Sequence, residues 1–179
     1  MCSSDLPPIL IDATAGFGED GFLFAAAGFQ VTLCEQNVLI AFLLQEALTR
    51  SAQVPELAHI CQRLSLHRGD SVDFLLHLDR QPAVVYLDPM FPARQKNAKI
   101  KKKLQIMQLI EQPCPSEQRL FAAALSVLPQ KIVVKRPVKG PPLAGLTPAF
   151  FLKGKAVRFD VYLPRSMSAA VRNTILQNL

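Results

Sequence analysis

Two short segments carry the residues best suited to chemistry. Asp12-Ala13-Thr14-Ala15-Gly16-Phe17-Gly18-Glu19-Asp20-Gly21 follows the apolar run Pro8-Ile9-Leu10-Ile11. Tyr86-Leu87-Asp88-Pro89-Met90-Phe91-Pro92 ends an apolar run that starts at Ala83. In the first, Gly16 and Gly18 let the backbone turn sharply and approach a ligand closely, because a side chain there would collide. In the second, an aromatic ring at the C-terminal end of a strand offers a face on which a base can stack. The Asp88 carboxylate and the carbonyls of a proline-stiffened turn add acceptors for an NH2 group. One glycine-rich strand end and one Asp-Pro-aromatic strand end point to a nucleotide-type cofactor facing a flat substrate, and so to an enzyme.

Gly16, Gly18 and Gly21 also satisfy the G-x-G-x-x-G pattern that seats a pyrophosphate on a helix N-terminus. On that ground alone an NAD-dependent oxidoreductase is a fair reading. Glu19 and Asp20, however, put two negative charges where a pyrophosphate needs the helix start free, and Asp12 adds a third. A ligand bearing an ammonium group tolerates or prefers those acids. Glu35 ends the next apolar run, 23 residues after Asp12. A carboxylate at that spacing can accept two hydrogen bonds from ribose hydroxyls. Gly69-Asp70-Ser71 follows a third run. Asp70 there can receive an adenine amino group, cap the following helix, or do both.

These residues need elements to position them. Apolar runs bounded by turn signals predict strands over 9–13, 30–35, 64–68, 83–88 and 131–135, with helices over 20–27, 38–51, 71–78 and 116–128. Helix 38–51 carries Ala41, Leu44, Ala47 and Leu48 on one face, and Gly28 closes the first helix. Continuously apolar strands alternating with helices indicate a parallel sheet covered on both faces. Segments 149–153 and 156–163, across Gly154-Lys155, read as an antiparallel hairpin. Pro137, Pro141, Pro142 and Pro148 make 137–148 an irregular loop at the ligand edge. The tail 166–179 reads as a short helix or a frayed end.

The formal charge of +6 conceals an asymmetry: residues 1–80 hold ten acids and four bases, residues 81–179 four acids and sixteen bases. A chain polarised in this way suggests an anionic partner on one side. The densest stretch is Arg94, Lys96, Lys99, Lys101, Lys102 and Lys103, with no acid between Pro89 and Ile110. It begins two residues after the Asp-Pro-aromatic segment, where phosphates near a reacting nucleotide would run. Cys2, Cys34, Cys61 and Cys114 are scattered. With His59, His67 and His77 they form no ligand spacing, so reduced cysteines in a cytoplasmic protein without a metal site are expected. No apolar stretch approaches the roughly 20 residues of a membrane helix.

Taken together, residues 12–21, Glu35, Asp70 and residues 88–92 resemble class I S-adenosylmethionine (SAM) methyltransferases. Asp88-Pro89-Met90-Phe91-Pro92 is similar to the Asn/Asp-Pro-Pro-Tyr/Phe motif of enzymes that methylate exocyclic or amide nitrogens. More narrowly, residues 12–18, residues 85–92, Val133-Val134-Lys135-Arg136-Pro137 and Lys153-Gly154 with Arg158-Phe159-Asp160 resemble the ribosomal RNA small subunit methyltransferase J family, over residues 9–163. The resemblance implies an α/β, Rossmann-like class I methyltransferase fold forming one domain over residues 1–179. It also implies SAM as cofactor and methylation of the N2 amine of a guanine in 16S ribosomal RNA. The expected partner is that RNA or the small ribosomal subunit, with no membrane and no metal.

For single residues the resemblance implies Asp12, Gly16, Gly18, Glu19 and Asp20 around the amino-acid end of SAM. Glu35 and Gln36 fall at the ribose, Asp70 and Ser71 at the adenine, and Asp88 beside the methyl donor. Asp88, Pro89 and Phe91 would hold the guanine. Residues 94–103, with Lys135, Arg136 and Lys139, would grip phosphates. Met90 departs from the second proline of the general motif but fits the narrower family, which carries additional N-terminal sequence. Three other readings stand beside this one. A nicotinamide-dependent oxidoreductase leaves the Asp-Pro-Met-Phe-Pro segment without a role. A non-catalytic RNA-binding module leaves the strand-end acids without one, and a protein-glutamine methyltransferase does not need the lysine run.

Overall fold

A strand whose successive residues are all apolar must be covered on both faces, because neighbouring side chains point to opposite sides. β1 (Ile9–Asp12) shows this directly, with Leu10 entering one hydrophobic core and Ile11 the other. The computed structural model describes residues 6–89 and 116–179. Among them the chain continues with α1 (Glu19–Ala26), β2 (Gln30–Glu35), α2 (Val38–Ser51), α3 (Pro55–Cys61), β3 (Leu64–Arg68), α4 (Ser71–Leu76) and β4 (Val84–Leu87). It then forms α5 (Glu117–Ser126), β5 (Lys131–Pro137), β6 (Phe150–Lys153), β7 (Val157–Tyr162) and α6 (Ala169–Leu176).

The seven strands form one sheet in the order β3-β2-β1-β4-β5-β7-β6. β1 to β5 are mutually parallel, while β7 runs antiparallel to β5 and to β6. This is the predicted parallel sheet finished by an antiparallel hairpin. Ala25 of α1 and Leu44 of α2 pack with Leu10, Val31, Leu33 and Tyr86 on one face. On the other, Val72 and Leu75 of α4, residues 120–125 of α5 and Ile175 of α6 pack with Val85, Leu87, Ile132, Val134 and Tyr162. The chain winds outward from β1 to β3 and then returns to place β4 on the other side of β1. A crevice for ligands therefore opens at this switch point, between the C-terminal ends of β1 and β4.

Several elements differ from expectation, some for local reasons. α3 was not predicted, although Pro55 at its first position and Glu56 in its first turn are the usual start signals. α4 stops at Leu76 and α5 at Ser126, and Leu128 just beyond α5 takes a φ of 46°. On α2 the buried residues are Ile40, Ala41 and Leu44, with Leu48 half-buried, and Ala47 faces solvent to one side of that line. The tail settles as α6, whose start is capped by the Ser168 hydroxyl accepting from the Val171 N–H. No helix among the described residues is long and apolar enough to cross a membrane.

Candidate cofactor and substrate site

Because β1 to β4 are parallel, residues that end them meet at one edge. Asp12 is the last residue of β1 and Glu35 the last of β2. Asp70 lies two positions past β3, and Asp88 follows β4 directly. Between β1 and α1 the chain makes its glycine turn, with Gly16 at φ 53° and Gly18 at φ 75°. Glu35 fastens this turn. Its Oε2 accepts from the Gly16 N–H at 2.9 Å and its Oε1 from the Asn37 N–H at 2.7 Å. Burial pushes the Glu35 carboxyl up from its ordinary value, and the N–H groups of Asn37 and Gly16 pull against that. Gly21 serves packing: a Cβ there would lie 2.2 Å from Leu33 Cδ2, so only glycine lets α1 lie this close to β2.

On the other side of the crevice four side chains converge. Lys135, near the end of β5, places Nζ 2.7 Å from Asp20 Oδ2 and 3.0 Å from Asp88 Oδ2. The Tyr86 hydroxyl donates to the same Asp20 oxygen at 2.6 Å. The Asp88 N–H donates to the Thr14 hydroxyl at 2.6 Å, which ties the β4 end to the glycine turn. Burial raises the Asp88 carboxyl above its ordinary value, while Lys135 works to lower it and Asp20 to raise it. For Lys135, burial opposes the charged form, but Asp20 and Asp88 outweigh it and hold the ammonium above its usual range.

Asp12 lies beneath this cluster, 1% exposed, with Oδ1 accepting from the Thr14 N–H at 3.2 Å. Its burial, reinforced by Asp20 and Asp88 against the Thr14 N–H, pushes its carboxyl up to about 7. An edge where Asp20 and Asp88 share a single ammonium above the buried Asp12 favours a cationic ligand.

The structure thus brings Asp12, Gly16, Gly18, Glu19, Asp20, Glu35, Gln36, Asp70, Ser71, Asp88 and Pro89 to one edge. Glu19 and Asp20 open α1, and Gln36 is exposed beside Glu35. The Asp70 Oδ1 caps α4, accepting from the Val72 N–H at 2.7 Å, and Ser71 begins that helix. Phe91, Arg94, Lys96, Lys99, Lys101, Lys102 and Lys103 lie outside the described residues.

Two phosphate contacts read from the sequence give way. Arg136 is 1% exposed, donating from Nη1 to Glu117 at 3.1 Å and from Nε to the Pro141 carbonyl at 2.8 Å. Alternation along β5 turns it inward, so it holds the following loop rather than a nucleic acid. Lys135 is likewise engaged between two carboxylates. Sequence reasoning missed the parts played by Tyr86, Thr14 and Lys135. The first two lie inside the motifs already singled out, but their partners sit 66 and 74 residues away.

A family model described as "Putative SAM-dependent methyltransferase" matches residues 2–164. The chain belongs to this family. It is 41% identical over 158 residues to the ribosomal RNA small subunit methyltransferase J of Thioalkalivibrio sulfidiphilus, covering 87% of this chain and 62% of that protein. It is also 41% identical to its namesake from Aeromonas salmonicida, covering 90% of this chain and 66% of that one. The chain therefore spans slightly less than two thirds of the length of these curated relatives. The crystal structure of a SAM-dependent methyltransferase from Neisseria gonorrhoeae superposes with a TM-score of 0.73 at 34% identity, covering 92% of this chain and 64% of that one.

SAM is the family's cofactor, and the donor set fits it. Acidic Asp20 and Glu19 at the start of α1 suit an ammonium and disfavour a pyrophosphate. Glu35 retains a lone pair beyond its backbone donors, because a carboxylate offers about four acceptor sites. Gln36, Asp70 and Ser71 continue the row of polar groups along the edge. The nicotinamide reading loses its ground at the same place.

Proposed function

We propose that this chain transfers a methyl group from SAM to the exocyclic N2 amine of a guanine in 16S ribosomal RNA. The observation that carries the reading is the Asp88 carboxylate. It stands at the lip of the crevice, paired with Lys135, while the Asp88 N–H donates to the Thr14 hydroxyl, and it opens the Asp-Pro-Met-Phe-Pro segment of the sequence. The curated relatives' name, ribosomal RNA small subunit methyltransferase J, supports the substrate class.

When bound, SAM supplies an electrophilic methyl group on a sulfonium. Asp20 and Glu19 would hold its ammonium, Glu35 and Gln36 its ribose, and Asp70 and Ser71 its adenine. The guanine amine is conjugated with the ring and weakly nucleophilic, so it needs aim more than deprotonation. A hydrogen bond from that amine to Asp88 and another to the Pro89 carbonyl fix its lone pair along the attack line. Lys135 keeps the carboxylate charged for this task. Once nitrogen has been alkylated it surrenders a proton readily, and an Asp88 carboxyl raised by burial is placed to accept it. Orientation and preset electrostatics supply most of the rate gain, and Phe91 would stack on the extruded base.

The test is transfer of labelled methyl from SAM to 16S ribosomal RNA and to the small subunit, followed by nucleoside digestion. N2-methylguanosine is expected, and Asp88→Ala abolishes it while calorimetry still detects SAM binding. A label on protein, on a ring nitrogen, or on no RNA at all overturns the reading.

A further inference from the structure

With Arg136 buried and Lys135 engaged inside the site, the cations that meet RNA at this end of the described sheet must come from elsewhere. The strand register says where. β5 ends at Pro137 on the same edge as Asp88, and Val157, the first residue of β7, pairs with Pro137. Lys153, the last residue of β6, pairs with Arg158. The hairpin turn at residues 154–156 therefore stands on the substrate side of the crevice. It lies three strand spacings from β4, roughly 15 Å.

The loop after β5 is locked to this turn. Arg158 forms a two-pronged pair with the buried Asp160, Nε to Oδ1 at 2.7 Å and Nη2 to Oδ2 at 3.0 Å. Its remaining Nη1 donates to the carbonyls of Val138 at 2.9 Å and Gly140 at 2.8 Å. The Val138 N–H donates to the Ala156 carbonyl at 3.3 Å. Lys139, between the two carbonyls that Arg158 holds, thus lies in a loop tied to the turn that follows Lys153 and carries Lys155. All three lysines are exposed, and none joins an ion pair among the described residues. Within residues 137–163 the acid is Asp160, already matched by Arg158.

We propose that Lys139, Lys153 and Lys155 form a preset cationic rim that grips the RNA backbone flanking the target base, with Arg158 as the residue that positions it. The proposal rests on the functional reading above and names the surface through which that reading meets its substrate. A rigid rim loses less freedom on binding than three independent lysines would. Phosphate contact, and not base readout, is what lysines on a turn supply. The exposed Phe150, Phe151 and Leu152 on β6 also permit a lipid surface. The placement on the same sheet edge as Asp88 favours the nucleic acid.

The experiment titrates the full chain with fluorescently labelled 16S ribosomal RNA over a salt series. The Lys139→Gln/Lys153→Gln/Lys155→Gln variant is compared with Arg80→Gln/Lys131→Gln/Arg165→Gln, an equal charge loss at the opposite edge of the sheet. Each lost phosphate contact lowers the slope of log affinity against log salt by about 0.7–0.9. The rim variant should therefore lose about 2 units of slope and the opposite-edge variant almost none, with SAM affinity unchanged in both. Arg158→Met, with its fold checked by thermal melting, should lower affinity while leaving most of the slope.

Equal slopes for the wild type and the rim variant overturn the proposal. So does rim-dependent binding to phosphatidylglycerol vesicles with an unmoved RNA slope. Should the wild type bind RNA yet methylate none of it, the functional reading falls and the slope alone still decides the rim.

Discussion

Lys135 and Asp88 form an ion pair of 3.0 Å across the ends of neighbouring strands, and the same ammonium lies 2.7 Å from Asp20 on α1. One side chain on β5 thus couples the start of the helix after the glycine turn to the carboxylate that begins the Asp-Pro turn. Around Asp88 the charged and titratable groups are Asp20 from α1, Asp12 from β1, Tyr86 from β4, and Lys135 and Arg136 from β5. Of these, Lys135 and Arg136 favour the ionised carboxylate and Asp20 opposes it.

Removing Lys135 should therefore move Asp88 upward. Burial and Asp20 already raise its carboxyl, and Lys135→Met deletes the main force that lowers it. The acid limb of the kcat/KM profile shifts to higher pH, because a protonated Asp88 no longer accepts from the guanine amine. At neutral pH transfer falls by about tenfold or more, since a charge-assisted hydrogen bond is worth about 1.5–3 kcal/mol. Lys135→Arg restores much of the loss by keeping the charge. An unshifted acid limb in Lys135→Met would show that Lys135 does not tune Asp88.

Asp12 makes a prediction about stability. Its carboxyl stands near 7 in the folded protein against an ordinary value of 3.8. Between those values the folded state binds the proton that the unfolded chain has released. Stability attributable to this group is therefore greatest below about pH 4, falls as pH rises toward 7, and is level above it. Asp12→Asn keeps the acceptor for the Thr14 N–H and removes the titration. Relative to wild type it should gain stability across that window, on the order of 4 kcal/mol at the ceiling. Urea unfolding at pH 4.5 and pH 8 checks this, and a difference that stays constant with pH refutes it.

The strand ends were legible in the sequence because parallel strands buried on both faces are written as unbroken apolar runs. A carboxylate or glycine at the end of such a run can only lie at the edge. β2 and β3 were located to the residue, and the four acids fell where their runs stopped. Lys135 and Arg136 were misread because two basic residues in a charge-rich half look alike in one dimension. The pleat sends Arg136 into the space above Glu117, and Lys135 faces acids contributed by α1 and β4. Such pairings depend on strand order, which local pattern does not encode. The same holds for the link of Thr14 to Asp88 across β1 and β4.

Gly21 should tolerate no larger residue. In Gly21→Ala the new methyl would stand 2.2 Å from Leu33 Cδ2, inside a core where Leu33 is wholly buried. Overpacking of this kind costs about 1–3 kcal/mol, and either Leu33 or α1 must shift to relieve it. Leu33→Val on its own opens a small gap. Combined with Gly21→Ala it should be less destabilising than the sum of the two single changes. Thermal melts of the four proteins measure that coupling, and strict additivity would mean that the two sites do not compete for space.

Glu35 should prove necessary for SAM binding in two separable ways. Its oxygens accept from the N–H groups of Gly16 and Asn37, so it sets the glycine turn. In the proposed reading it also holds the ribose. Glu35→Ala should weaken SAM by about 1.5–3 kcal/mol, the range for losing hydrogen bonds to a charged group. A cofactor analogue without the ribose 2′-hydroxyl separates the two contributions. If Glu35 holds that hydroxyl, the wild type loses affinity for the analogue, whereas Glu35→Ala binds the analogue and SAM alike. If the carboxylate acts through the turn alone, both proteins discriminate between the two ligands equally. Calorimetry of two proteins against two ligands gives the coupling energy directly. A coupling near zero would remove Glu35 from the ribose and leave it as the residue that shapes the loop.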